Sequence, residues 1–181
     1  MGPAAEKSAQ QVRVLCVGGV DITFHRLGRE AWSPGAVLRS WAVAPWQTQG
    51  HSVAVACLPG EVVWLGLSSD PSHPATVVLT AVQNSAAREL NVPPDWQLGW
   101  LLDGAGHPTP LALGDERSAA YRVDLRRQGQ VGAVLDIDLL SPAAWAEQFE
   151  PLSLEPAEVP PPVPRYSRIV RPNTRPSRAQ R

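Results

Sequence analysis

Two carboxylates, Asp136 and Asp138, are the best candidates in this sequence for acid–base chemistry or calcium binding. Their i, i+2 spacing on a strand places both side chains on one face, while Leu135, Ile137 and Leu139 take the other. Two carboxylates on one face of a strand could bind calcium, or could act as a general acid and a general base. The solvent-exposed face of an amphipathic strand explains the same pattern without a ligand, and we predict that simpler arrangement.

The remaining residues that could do chemistry lack the spacing that chemistry requires. The four histidines are scattered, with no H-x-x-x-H or C-x-x-C pattern, so the sequence predicts no metal site and leaves their convergence in space open. They are His25, His51, His73 and His107. No G-x-S-x-G motif and no phosphate-binding loop followed by lysine is found. We therefore expect a non-catalytic protein with no cofactor.

Two cysteines, Cys16 and Cys57, each lie in an apolar alternating stretch. Since they form no closely spaced pair, we predict that both are reduced and buried as small hydrophobic residues.

Tryptophan is unusually abundant, with seven residues against two Tyr and two Phe. Indole rings on a β surface can stack on sugar rings or anchor protein interfaces, whereas a β core can use them as large apolar filler. Trp64 alternates with Val62 and Gly66 and is predicted to be in the core. The candidates for surface contacts are Trp32, Trp41, Trp46, Trp96 and Trp100.

The C-terminal region carries the opposite charge to the rest of the chain. From Pro160 onward there are six arginines and no acid, so this part is +6, and the preceding part is −7 with 17 acids and ten bases. The arginines are spaced by three or four residues, which places most of them near one side of an extended polyproline-type chain. The predicted partner-binding residues are Arg165, Tyr166, Arg168, Ile169, Arg171, Arg175, Arg178 and Arg181.

Alternation with period two is the main structural signal and predicts a mainly β fold. Predicted strands and the turns between them follow at short intervals, which favours an antiparallel β-sandwich or barrel. A turn is predicted at Gly18-Gly19, and hairpins are predicted around Pro59-Gly60 and around Arg127-Gln128-Gly129. The predicted strands are 12–16, 20–27, 52–58, 61–67, 75–83, 96–102, 109–113, 119–126 and 130–140.

Helix signals are few. Ser141 is a good N-cap and Pro142 fits the first helical position, so a short helix is predicted over 142–149. One or two helical turns are expected over 84–90. The segment 33–44 has both helix and strand features, and its alternation at Val37, Arg39, Trp41 and Val43 favours a strand.

Composition changes near residue 151, beyond which seven prolines between 156 and 176 predict an extended tail. The predicted organisation is therefore a flexible N-terminus (1–10), a β domain (11–150) and a Pro/Arg-rich tail (151–181). No apolar stretch is long enough to cross a membrane and no signal peptide is recognised at the start, which favours a cytoplasmic location, within a larger particle if the protein assembles.

These observations favour a structural or interaction subunit of a larger assembly, in which the basic tail acts as a docking arm. The expected partner is another protein or a second copy of the chain, since the acidic body is a target for the tail. Alternatives are nucleic-acid binding through the arginines and carbohydrate binding through exposed tryptophans. No membrane partner and no small-molecule substrate are predicted.

Overall fold

Residues that alternate with period two form strands through most of the chain. The computed structural model describes residues 13–38, 42–114 and 116–157. The strands are β1 (Leu15–Val17), β2 (Val20–Gly28), β3 (Ala42–Val43), β4 (Trp46–Gln49), β5 (Ser52–Ala56), β6 (Glu61–Ser69), β7 (Ala75–Ala81), β8 (Ala87–Val92), β9 (Gln97–Leu98), β10 (Trp100–Leu102), β11 (Pro108–Ala112), β12 (Ser118–Arg127) and β13 (Gln130–Leu140). A 3-10 helix (Arg29–Ala31) and one α-helix, α1 (Pro142–Ala146), complete the described elements.

The strands form one curled sheet, so the mainly β fold class is confirmed. Its order is β1-β2-β6-β11-β10-β8-β7-β12-β13-β5-β4, with β3 paired to β2 and β9 paired to β6. Inward side chains of β2 and β6, such as Phe24 and Leu65, share one core with Val77, Val123 and Ile137 from β7, β12 and β13. No helix in the described part of the chain is long and apolar enough to cross a membrane.

One of the two predicted hairpins, at Arg127-Gln128-Gly129, is confirmed, and so is the turn predicted at Gly18-Gly19. Strands β1 and β2 pair across Gly18-Gly19, and β12 pairs with β13 across Gln128-Gly129. All four turn residues have positive φ angles, a conformation that Gly adopts without the steric cost of a Cβ. These short-range signals therefore fix both turns.

The hairpin predicted at Pro59-Gly60 is wrong. The turn itself forms, with the Glu61 backbone N–H donating to Leu58 O at 3.1 Å, but β5 and β6 do not pair. Strand β5 instead lies between β4 and β13, and its pairing with β13 is parallel. The sheet is thus not purely antiparallel, and the Pro59-Gly60 turn carries the chain from one half of the sheet to the other.

Two local assignments also require correction. Residues 84–90 were expected to be helical, but β8 begins at Ala87 and pairs with β7, burying Leu90 and Val92. In 33–44 the expected strand is reduced to β3, because Ala36 N donates to Ser33 O in a turn around Pro34-Gly35. Residues 39–41 lie outside the described part of the chain.

The predicted C-terminal helix is present but ends at Ala146 rather than 149. Ser141 Oγ accepts the Ala144 backbone N–H at 3.3 Å, as expected for an N-cap. Trp145 is buried, and its Nε1 donates to Glu150 O at 3.0 Å.

Residues 151–157 lie against the body. Leu152 and Leu154 pack on the cluster around Trp145, and Ala157 is buried. The rest of the predicted tail, residues 158–181, lies outside the described residues, as do residues 1–12.

Both cysteines are free, as predicted. Cys57 is buried, and burial raises the pKa of its thiol to about 12. The expectation that Cys16 is also buried is wrong, because it lies on the outer side of the three-residue edge strand β1.

Candidate functional site

The outer face of β2 and β6 gathers polar and aromatic side chains. The antiparallel register places Thr23 opposite Gly66 and His25 opposite Trp64. Because strand side chains alternate between faces, these residues point away from the core that Ile22, Phe24 and Leu65 fill. We call the depression above them the β2–β6 cleft. It has a volume of about 340 Å³ and is lined by Val14, Asp21, Thr23, His25, Trp64, Gly66, Leu67, Ser68 and Trp96.

His25 lies on the floor of this cleft and is largely buried. Its Nε2 is 2.8 Å from Thr23 Oγ1, and its ring stacks on Trp64 with 4.1 Å between centroids and 18° between planes. Burial lowers the pKa of His25, which favours the neutral imidazole. The floor is therefore polar but carries no fixed charge at His25.

Gly66 leaves room for the side chains on the floor of the β2–β6 cleft. A Cβ at this position would overlap Thr23 Oγ1 and would lie 3.4 Å from His25 Nε2. The absence of a side chain thus allows the pair of Thr23 and His25 to reach the cleft.

A second depression, the Trp100 cleft, lies on the other side of Trp96. It has a volume of about 160 Å³, and its lining includes Val37, Arg88, Asp95, Trp96 and Trp100. The Arg88 guanidinium lies 3.6 Å from the centroid of the Trp100 ring. Burial lowers the pKa of Arg88, and the nearby carboxylate of Asp95 opposes this shift.

Trp96 separates the two clefts and lines both of them. Its side chain is 53% exposed, and the exposed valines Val14 and Val37 line one cleft each. The backbone holds the residue in place, since Leu67 N donates to Trp96 O at 2.9 Å. We call Trp96, Val14 and Val37, together with the two clefts, the Trp96 surface.

The other candidate tryptophans are arranged differently. Trp100 lines the Trp100 cleft, and Trp32 is half-buried, with its Nε1 donating to Gly99 O at 3.2 Å. Trp46 is only 7% exposed, contrary to the expected surface position, because it packs near Phe24 and is covered by the Arg13 guanidinium at 4.3 Å. Trp64 is buried, as predicted, in a second hydrophobic cluster with Leu27, Leu38 and Val62. Trp41 lies outside the described residues.

Asp136 and Asp138 lie on the opposite face from Leu135, Ile137 and Leu139, as predicted. Asp136 is paired with Arg122 at 3.0 Å, and partial burial, followed by the charge of Asp136, raises the pKa of Asp138. Within residues 13–38, 42–114 and 116–157, no three His, Cys, Asp or Glu side chains are grouped so that they could hold a metal ion.

The structure therefore brings together only part of the predicted site. Trp96 and Trp100 share one surface, and all the predicted tail residues from Arg165 to Arg181 lie outside the described chain. The roles of Thr23, His25 and Gly66 were not predicted, although the alternation in Asp21-Ile22-Thr23-Phe24-His25 already places three polar side chains on one face. No protein-family model, curated protein or solved structure matches this chain.

Proposed function

We propose that this protein is a non-catalytic interaction subunit, with a β-sandwich or barrel body, that binds a protein partner through the Trp96 surface. The observation that carries the proposal is the half-exposed indole of Trp96 between two clefts, flanked by exposed valines. Tryptophan is enriched among the residues that dominate protein–protein binding energy, and grouped exposed apolar residues mark interaction sites.

The charges on this surface support a protein partner over nucleic acid. Asp21 lines the β2–β6 cleft, whose lining includes no Lys or Arg, so a phosphate backbone would be repelled there, whereas Asp95 in the Trp100 cleft lies near Arg88. In this proposal, Thr23 and His25 form the polar base of the β2–β6 cleft.

Carbohydrate binding is the second candidate. The β2–β6 cleft combines two indole rings with the hydroxyl groups of Thr23 and Ser68 and the carboxylate of Asp21. Aromatic rings beside hydrogen-bonding groups are the elements that can hold a sugar ring.

The test compares Trp96→Ser with Val82→Ser in the full chain. Val82 is a matched control because it is 62% exposed and lines neither cleft. Each immobilised variant is used to capture proteins from an extract of the source cells, with quantification by mass spectrometry. We expect at least one protein to be retained by the wild type and by Val82→Ser but lost with Trp96→Ser.

The same set of proteins captured by all three chains would contradict the proposal. Binding to a glycan array that is lost with Trp96→Ser would instead favour the carbohydrate alternative.

A further inference from the structure

We propose that the Pro/Arg segment, residues 160–171, of one copy of this chain binds the Trp96 surface of a second copy. This inference rests on the proposed function and names the partner at the same surface.

The composition of the Pro/Arg segment fits an aromatic surface. It begins with Pro160, Pro161, Pro162, Val163, Pro164 and Arg165. Proline-rich segments favour the polyproline II conformation, which costs little entropy to dock and is recognised in grooves lined by aromatic rings. Trp96 supplies an exposed ring of this type, with a cleft on either side for proline and valine side chains.

The charges of the two surfaces are complementary. Arg165, Arg168 and Arg171 are three residues apart, so a polyproline II chain with three residues per turn presents them on one side. On the Trp96 surface, Asp21 forms no ion pair within the described part of the chain, whereas Asp95 lies near the Arg88 guanidinium in the Trp100 cleft. A guanidinium group of the segment can therefore pair with the Asp21 carboxylate in the β2–β6 cleft.

The end of the described chain indicates that the partner is a second copy. The backbone N–H of Ala157 is held by Glu61 Oε1, and Glu61 points to the same side of β6 as the core residues Val63 and Leu65. The β2–β6 cleft opens on the other side of β6. The backbone oxygen of Trp96 accepts the backbone N–H of Leu67, and Leu67 lies about 20 Å along the strand from Glu61.

Prolines 160–162 follow Ala157 by three to five residues and so reach at most about 17 Å from it. This reach is shorter than the roughly 20 Å along β6 between Glu61 and Leu67, so these three prolines would come from a second copy when they lie beside Trp96. Each copy would then offer one segment and one receiving surface, an arrangement that produces head-to-tail chains.

Two full-length variants test the two sides of this contact separately, one with a changed Trp96 surface and one with a changed Pro/Arg segment. The surface variant is Trp96→Ser, and the segment variant combines Arg165→Gln, Arg168→Gln and Arg171→Gln. Sedimentation velocity at low salt should show that the wild-type mass rises with concentration. Each variant alone should associate about thirtyfold more weakly, the usual effect of losing a dominant interface residue.

An equimolar mixture of the two variants provides the decisive measurement. The intact segment of the surface variant can bind the intact surface of the segment variant, so the mixture should form a one-to-one complex that does not grow further. Two controls should associate like the wild type: Val82→Ser, and a chain with Arg175→Gln, Arg178→Gln and Arg181→Gln.

A wild type that stays monomeric at every concentration, or variants that fail to associate when mixed, would overturn the inference. If Trp96→Ser still loses a protein in the capture experiment, the proposed function survives and only the second copy is excluded as its partner. If capture is also unchanged, both proposals fail.

Discussion

The carboxylate of Glu61 accepts the backbone N–H of Ala157 at 2.8 Å, although the two residues are 96 positions apart in the chain. The same carboxylate accepts Arg26 Nη1 at 2.8 and 3.1 Å and the Leu58 backbone N–H at 2.9 Å. Arg26 Nη2 also donates to Glu155 O at 3.3 Å. This buried ion pair therefore joins β2, the turn before β6 and the last described residues of the chain.

We expect Glu61→Gln to lower the free energy of unfolding by about 3–5 kcal/mol, because it leaves Arg26 buried without its counter-charge. The matched control is Glu147→Gln, which removes an exposed ion pair with Arg117 and should cost about 0–1 kcal/mol. Urea unfolding of both variants measures the difference. Equal losses in the two variants would show that the buried pair has no special role.

The packing of 151–157 predicts where the chain can be shortened. A chain that ends after Ala157 should keep the stability of the full protein. A chain that ends after Glu150 loses the apolar contacts of Leu152 and Leu154 and the hydrogen bond from Ala157, at a cost of about 2–5 kcal/mol. Thermal and urea unfolding compare the two truncations, and equal stability would contradict the prediction.

The two cysteines should differ in reactivity. Cys16 is exposed, so one thiol per native chain should react quickly with a thiol reagent, and Cys57 should react only after unfolding. The hydrogen bond to Asp21 raises the pKa of Cys16, so Asp21→Asn should accelerate its labelling near pH 7.5. Two fast thiols, or none, in the native protein would contradict this arrangement.

The sequence was most informative where structure is local. The turns at Gly18-Gly19 and Gln128-Gly129 and the N-cap Ser141 depend on residues close together in the chain, and all three form. The Pro59-Gly60 turn also forms, yet its strands separate because β5 pairs in parallel with β13, more than 80 residues later. Such pairing depends on which apolar faces meet in the core, and a local pattern does not contain that information.

The candidate site, like the fold, could be predicted from the sequence only in part. Trp96 could be named among five candidate surface tryptophans, because tryptophan is unusually abundant in this chain and Trp96 lies close to Trp100 in the sequence. The cleft beside it depends on the register that places Thr23 opposite Gly66, which only the folded sheet defines. Trp46 was misplaced for the same reason, since its cover by Arg13 comes from a segment 33 residues earlier.

The close approach of Gly66 and Thr23 can be tested with a double-mutant cycle. Gly66→Ala should cost about 1–3 kcal/mol, because the added Cβ overlaps Thr23 Oγ1. Adding Thr23→Ala removes that oxygen, so the double variant should be destabilised by less than the sum of the single changes. Gly104→Ala is the control, since a Cβ there meets no atom within 4 Å. Strict additivity of the two changes would contradict the contact.

The burial of His25 predicts a pH dependence of stability. Because the pKa of His25 is lowered in the folded protein, the unfolded chain binds a proton below about pH 6.5 while the folded chain does not. The free energy of unfolding should therefore fall as the pH drops through about 6.5 and level off below the folded pKa. The carboxylates Asp70 and Asp103 have pKa values below their usual 3.8, so their contributions are lost only at more acidic pH. Urea unfolding between pH 5 and 7.5 should show this slope in the wild type and in His51→Gln, which changes an exposed turn residue, but not in His25→Gln. A slope that persists in His25→Gln would assign the proton uptake to another group and contradict the buried, neutral imidazole on the floor of the β2–β6 cleft.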